Sequence, residues 1–234
     1  MQFSQYYKRK DVAENYDSRR MKGVKAQLVR IMERRAVVDL IPAGKKKILE
    51  VGVGTGYFTE LLAKMGDLDG IDTSEEMLKV LRRKIKDINL KKSNILSMKL
   101  NKKYDVIVSI RVISHFNRDE VLQALRKLSD HINPGGSIIF NLENPSMLRK
   151  TLRKITNWGS TYTYQYSDNE INSMFKLMSL KIIDKIYIDH LFIYPLHILN
   201  KLAFGNLSEV ILRLEKMLKK FKFCSTNVFI KCLK

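Results

Sequence analysis

Short apolar runs alternate along this chain with stretches whose apolar residues recur every three or four positions. The runs are Lys47 to Val51, Leu68 to Asp72, Ser93 to Met98, Tyr104 to Ile110, Ser137 to Leu142, Lys181 to Ile188 and Phe223 to Cys232. Each reads as a strand, seven in all. The stretches between them read as helices: Tyr57 to Met65, Glu75 to Ile88, and a third capped by Asn117 with Val121, Leu125, Leu128 and Ile132 in register. Ser167 and Glu170 have capping-box spacing ahead of Ile171, Met174, Phe175 and Met178. Upstream, Met21 to Leu40 reads as a helix with Val24, Leu28, Ile31 and Val38 on one side, ended by Pro42 and Gly44. The unbroken apolar character of Tyr104 to Ile110 is what the middle of a parallel sheet needs. Asn133-Pro134-Gly135-Gly136 makes a turn before the fifth strand. Five β-α alternations predict an α/β fold of Rossmann-like type, a doubly wound, mostly parallel sheet with helices on both faces.

The regularity fails in two places. Asn144 to Tyr166 is irregular and aromatic. Between strands six and seven, His190 to Lys222 is far longer than a hairpin needs. It begins with the apolar run Leu191 to Leu199. After Gly205, Ser208 is placed to cap a helix with Val210, Ile211, Leu214, Met217, Leu218 and Phe221 on one side and Lys216, Lys219 and Lys220 on the other. A single domain over 1–234 is expected. An N-terminal helical lid (1–44) precedes the core (45–189 and 223–234), and 190–222 is an apolar and basic helical insertion.

Composition changes this picture little. Of 234 residues, 45% are hydrophobic, enough for one core. The N-terminus lacks the apolar centre of a signal peptide, and no apolar run reaches membrane-spanning length, so a cytoplasmic setting is expected. Cys224 and Cys232 lie too far apart on one extended strand for a disulfide, which fits free thiols. The four histidines are scattered, so no metal is expected. The formal charge of +19 opens nucleic acid or an anionic membrane surface as partners, against the simpler reading of a lysine-rich solvated surface.

The chemistry starts at Leu49-Glu50-Val51-Gly52-Val53-Gly54-Thr55-Gly56. A strand ends in an acidic residue, glycines follow at alternate positions, and a helix begins. Such a tight turn lets a ligand approach bare backbone. The dinucleotide pattern would need its third glycine at position 57, which is Tyr57. With Glu50 upstream, the pattern suits a ligand carrying positive charge. S-adenosylmethionine, with its ammonium and sulfonium, fits where a pyrophosphate would be repelled. A glycine turn that only packs helix on strand is the simpler alternative. Asp72 favours the ligand: it ends the next strand about 20 residues on, where an acidic residue grips ribose hydroxyls. Thr73 follows it, and Ser74 is placed to cap the helix of Glu75 and Glu76.

The segments LEVGVGTGYFTELLA, GIDTSEEMLKVLRRK, KKYDVIVSIRVISHF and LSDHINPGGSIIF, in that order, resemble the class I S-adenosylmethionine-dependent methyltransferases. Within that family they are most similar to the type 11 group, which includes ubiquinone and menaquinone C-methyltransferases. The opening AENYDSRR resembles the Tyr-Asp start common there. The resemblance spans Ile48 to about Leu142 and fades beyond Asn144. It implies that the last strand is antiparallel and lies between strands five and six. It implies S-adenosyl-L-methionine as cofactor, with Glu50, Gly52, Gly54, Gly56, Asp72 and Thr73 around it. It also implies an acidic residue after strand three against the adenine. This chain instead offers Asn94 and Ile95 there, and an Asn carbonyl can still accept from an amine. Met77 is placed to cover the adenine face, and core packing explains it equally.

Ser109, Ile110 and Arg111 end strand four, beside the methionine part of such a cofactor. His115 is the candidate general base, needed only if the acceptor must lose a proton. Tyr7 and Tyr16 are candidates for a lid, with Asp17 fixing Tyr16 or Arg20, and Tyr16 is, besides His115, a candidate catalytic residue. Glu143 and Asn144 end strand five on the acceptor side. The N/D-P-P-Y/F sequence of amino-group methylases is missing after strand four, which reads Ser109-Ile110-Arg111-Val112. The preferred acceptor is a small apolar molecule such as a quinone precursor, with peripheral contact to an anionic membrane. RNA is the alternative, and a non-catalytic S-adenosylmethionine-binding protein is the least favoured.

Overall fold

The computed structural model describes residues 5–144, 164–190, 193–203, 205–222 and 225–234. The expectations for Asn144 to Tyr166 therefore fall largely outside the described residues, as do Leu191, Phe192, Phe204, Phe223 and Cys224. The strands are β1 Lys46–Val51, β2 Gly66–Asp72, β3 Asn89–Lys92, β4 Tyr104–Ser109, β5 Ile132–Glu143, β6 Lys181–His190 and β7 Ser225–Leu233. They form one sheet in the order β3-β2-β1-β4-β5-β7-β6. The first five pair in parallel, and β7 runs antiparallel between β5 and β6. This is the expected arrangement. The Asn133-Pro134-Gly135-Gly136 turn lies inside β5 as a bulge: Tyr104 faces Ile132, and Val106 already faces Ser137.

The helices are α1 Lys10–Glu14, α2 Tyr16–Arg20, α3 Val24–Leu40, α4 Thr59–Ala63, α5 Glu75–Lys84, α6 Arg118–His131, α7 Asp168–Leu177, α8 Tyr194–Leu202 and α9 Ser208–Leu218. Alternate sheet residues point to opposite faces. Leu49, Ile107, Ile138 and Phe140 join Val121, Leu125 and Leu128 of α6 and Met174 and Phe175 of α7. On the other face Ile48, Val106, Val108, Ile139 and Phe229 meet α3, Leu62 of α4, and Ile211 and Leu212 of α9. Local caps follow the sequence. Ser74 accepts from the Met77 amide, and both capping boxes form, Asn117 with Glu120 and Ser167 with Glu170.

Expectations for three elements are corrected. The third strand is Asn89–Lys92, upstream of Ser93 to Met98. It is an exposed edge strand with little apolar content, while Ile95 and Met98, three apart, turn into the core behind it. Helix α3 buries Leu28, Met32, Ala36, Val37 and Leu40, leaving Ile31 and Val38 exposed. Glycine 66 opens β2, and a Cβ there would lie 2.1 Å from the Lys46 carbonyl oxygen. In α9 the buried residues are Ile211, Leu212 and Glu215, whereas Val210, Met217 and Phe221 are exposed. Leu207 is its N-cap residue, and the Ser208 hydroxyl takes a bond from Asn200.

The buried Glu215 explains how the insertion is anchored. His190 Nδ1 lies 2.7 Å from one Glu215 oxygen, and its backbone amide donates to the other at 2.8 Å. Its Nε2 lies 2.9 Å from the Phe221 carbonyl oxygen. Two acceptors facing two ring nitrogens call for the doubly protonated imidazolium. Burial opposes that charge, but the bonds to Glu215 and Phe221 and the nearby Glu215 and Asp189 raise the His190 pKa above 6.5 overall. A raised folded pKa means this contribution is complete below about pH 6.5 and is lost as pH climbs through the folded value. Hydrogen exchange should therefore show α9 opening more readily at pH 9 than at pH 6. A His190→Phe variant should lose that difference.

Candidate functional site

Ligands of an open α/β sheet bind beyond the C-terminal ends of its strands. The glycine loop forms that edge after β1. The Gly52 amide donates to the Ile71 carbonyl at 2.7 Å, tying the loop to β2. Gly52 has φ of +80°, and a Cβ there would meet the Val112 side chain at 2.2 Å. Gly54 also has positive φ, at +53°, but a Cβ on it would meet nothing within 4 Å. The two glycines differ in purpose: Gly52 allows close packing, and Gly54 leaves open space in front of the backbone. Gly56, with φ of +97°, closes the turn against Leu81.

Asp72 links the loop to the next helix. One carboxylate oxygen accepts from the Gly54 amide at 2.9 Å and the other from the Ser74 amide at 2.8 Å. Burial lifts its pKa above the usual carboxylate range, and those amides pull it back. Each oxygen keeps a lone pair for a further donor. Glu50 is only 3% exposed, and its Oε2 has no hydrogen-bond partner. Burial, with Asp72 nearby, pushes its pKa up to about 8. A buried carboxyl oxygen without a partner is costly, and an ammonium or a bound water at the end of β1 would satisfy it. The buried hydroxyl of Ser109, at the end of β4, is likewise unpartnered.

The other predicted residues surround this edge in different ways. Thr73 follows Asp72 and is partly exposed. Asn94 is exposed and accepts from the Leu96 amide at 3.0 Å. Ile95 is buried in the core. Its neighbour Ser93 bonds the Asp72 carbonyl at 2.9 Å, so this turn does reach the Asp72 edge. Met77 is 2% exposed and packs against Val12 and Ala13, with Tyr7 and Tyr16 at the rim. His115 ends a 3-10 turn, Ile113–His115, just past β4. Tyr16 lies on α2, edge-on to Tyr7 at 6.0 Å and under the Arg20 guanidinium.

Thus α1 and α2 lie over α5 and the glycine loop. Asp17 fastens them: it accepts from Thr55 Oγ1 at 2.6 Å and from Lys84 Nζ at 2.5 Å. Its pKa is lowered, with burial opposed by these bonds. The Ser74 hydroxyl donates to the Tyr7 carbonyl at 2.7 Å. Asp17 is therefore bonded to the loop and α5 and not to Tyr16 or Arg20. Asn144 serves the fold, donating to Ser225 Oγ at 2.7 Å and to the Lys222 carbonyl at 2.9 Å.

A charged cluster under α3 has no counterpart in the sequence reading beyond Arg111. Arg111 has φ of +61°, unusual for a residue other than glycine, and its amide donates to Asn141 Oδ1 at 2.6 Å. Its guanidinium bonds one oxygen of the buried Glu33, at 3.0 and 2.7 Å. The signal available was Arg30 and Glu33 at helical spacing with the buried Val37 and Leu40 of α3. A depression of about 690 Å³ beside Pro42, Lys45, Met65 and Gly66 lies at the opposite, N-terminal ends of β1 and β2. We set it apart from the ligand edge on that ground. Among the described residues no group of His, Cys, Asp and Glu is arranged to hold a metal, and no helix is long and apolar enough to cross a membrane.

The glycine loop after β1 and the strand order, with β7 antiparallel between β5 and β6, are those of a class I methyltransferase fold. Residues 48–136 match the family model described as a methyltransferase domain. Over this segment the chain is similar to S-adenosylmethionine-dependent methyltransferases, and its fold is theirs. The match is to the domain at large and does not single out the quinone-modifying group. An uncharacterized methyltransferase of Alkaliphilus oremlandii is 31% identical over 126 residues, 52% of this chain and 58% of that protein. One from Bacillus cereus is 34% identical over 104 residues, 44% of this chain and 49% of that protein. The chain thus spans about half the length of the curated relatives it matches. The solved S-adenosylmethionine-dependent methyltransferase of Thermotoga maritima superposes with a TM-score of 0.66 at 18% identity, covering 96% of this chain and 97% of that one. Magnesium protoporphyrin IX methyltransferase of Synechocystis, solved with S-adenosylhomocysteine, gives 0.63 at 14%, covering 89% and 86%. At such identities the likeness is one of fold.

Proposed function

We propose that this protein transfers a methyl group from S-adenosylmethionine to a small apolar acceptor, lipid-like in the manner of a quinone precursor. The observation that carries the reading is Glu50, a buried carboxyl with an unpartnered oxygen at the end of β1, beside the open face of Gly54 and the spare lone pairs of Asp72. The bound donor supplies a methyl group on a cationic sulfur. Glu50 then faces its ammonium end, and Asp72 accepts from the ribose hydroxyls. In-line transfer depends largely on positioning. Tyr16 and Tyr7, on the helices fastened by Asp17, close over the cofactor. His115, just past β4, takes a proton from acceptors that must lose one.

The insertion supports an apolar acceptor or an apolar surface nearby. Leu199, Leu202, Met217 and Phe221 are each more than half exposed. Large exposed apolar residues gathered on one insertion are the kind of surface that meets another molecule. Of the three lysines on the basic side of α9 and its end, Lys219 pairs with Asp39 at 2.6 Å and Lys220 with Asp184, which leaves less of this face for phosphates. Ile193 is buried and Phe192 lies outside the described residues, so the exposed positions are the ones to change.

Replacing Leu199, Leu202 and Met217 with Ser should keep the fold and donor binding. It should lower labelled-methyl transfer to quinone-like acceptors, and attachment to acidic vesicles, by tenfold or more. His115→Ala in the same assay should lower turnover and not donor affinity. RNA binding that falls steeply with salt and is accompanied by RNA methylation would replace this acceptor class.

A further inference from the structure

We propose that Arg30 is the centre of a carboxylate-binding subsite between the glycine loop and the end of β4. Arg30 is 4% exposed, and its guanidinium carbon lies 3.5 Å from the Tyr57 ring centroid. Tyr57 directly follows Gly56, so the cation sits against the glycine loop. Its Nε is buried without a hydrogen-bond partner. Among the described residues no carboxylate pairs with it.

The neighbouring charges compensate Arg30 only in part, Glu33 acting on it without a hydrogen bond. Arg111 takes one oxygen of Glu33, whose other oxygen is buried and unpartnered. Asp17, the nearby acid of α2, is held by Thr55 and Lys84. Arg34 adds further positive charge 5.3 Å from the same ring. Two guanidiniums therefore share one carboxylate. Guanidinium cannot shed its proton to escape burial. Stacking on Tyr57 offsets part of the cost, but an unpaired buried charge costs several kcal/mol. The group that completes such a site is a monoanion able to accept from a planar fork, which describes a carboxylate.

Two molecules of the proposed reaction can bring that group, and the inference rests on that reading for their identity. One is the methyl donor, through its amino-acid carboxylate. The other is an acidic acceptor with an apolar body. Arg111, bonded to Asn141 of β5, marks the acceptor side of the cluster, and Tyr57 marks the donor side.

The test uses Arg30→Met in the full chain, which keeps most of the stem and removes the charge. Without ligand its melting temperature should equal or exceed that of the parent, because an unpaired charge is gone. Calorimetry then compares S-adenosylhomocysteine with its analogue lacking only the carboxylate. If the donor is the source, the parent prefers S-adenosylhomocysteine at least tenfold and Arg30→Met erases the preference. If the acceptor is the source, both nucleosides bind both proteins alike. The parent saturated with S-adenosylhomocysteine then binds dodecanoate at least tenfold more tightly than dodecanol, and Arg30→Met does not. Arg30→Lys should recover part of either preference. The proposal is overturned if Arg30→Met melts lower and retains every affinity, which would make Arg30 a packing residue only. Failure of the parent to bind S-adenosylhomocysteine would instead sink the methyltransferase reading, and the melting temperature, with dodecanoate against dodecanol on the unliganded proteins, would still judge Arg30.

Discussion

Glu50→Gln should melt higher than the parent at neutral pH and bind the methyl donor at least tenfold more weakly. Burial pushes the Glu50 carboxyl up to about 8, so it is largely protonated at pH 7 in the free protein. A raised folded pKa contributes stability that is complete below the ordinary carboxylate pKa and is lost as pH rises toward about 8. Gln fills the same space without an ionisable proton, so the variant should gain relative to the parent across that window. The gain is on the order of a few kcal/mol near its upper end. The donor's ammonium reverses the preference of the site, because an adjacent cation favours the carboxylate. Binding to the parent should then release close to one proton at pH 7, seen as a heat that changes with buffer ionisation enthalpy. Glu50→Gln should bind with no such change. An unchanged dissociation constant together with a lower melting temperature would show Glu50 to be a structural residue.

Asp72→Asn should lower affinity for S-adenosylhomocysteine by tenfold to several hundredfold. In the parent, both carboxylate oxygens already accept a backbone amide, from Gly54 and from Ser74. An Asn side chain has one acceptor oxygen, and its amide nitrogen would confront the second N–H. The glycine loop and the start of α5 therefore lose a shared anchor. The ribose hydroxyls lose a charged acceptor as well, at about 1.5–3 kcal/mol per bond before non-additivity. The fold itself should survive, since Ser74 still caps α5 and the β2 core residue Ile71 is untouched. Equal affinity for parent and variant would remove Asp72 from the site.

What was legible along the chain was whatever depends on near neighbours. The turn at Gly52, Gly54 and Gly56, the caps at Ser74, Asn117 and Ser167, and the period of α6 need only a few consecutive residues. All appear as read. The antiparallel β7 was reached through family resemblance, because nothing local to Ser225–Leu233 records its direction. The third strand was misplaced because an edge strand has one neighbour and needs few apolar residues, so Asn89–Lys92 carries no pattern. On α3 and α9 the periodic residues were found but the buried face was set elsewhere. Long helices offer overlapping stripes, and the partner element decides which one is covered.

The sequence by itself determined the glycine turn and the acidic strand end where we propose that a nucleotide-type ligand meets β1. Glycine spacing and an acidic strand end are local chemistry. Only the tertiary structure decided the charge state around that ligand. Glu33 from α3 reaches Arg111 beyond β4, 78 positions away, and so leaves Arg30 unpaired. Asp17 crosses 67 positions to Lys84 and sets the N-terminal helices over the loop. Which charges cancel, and which stay buried waiting for a ligand, depends on distances that the order of residues does not contain.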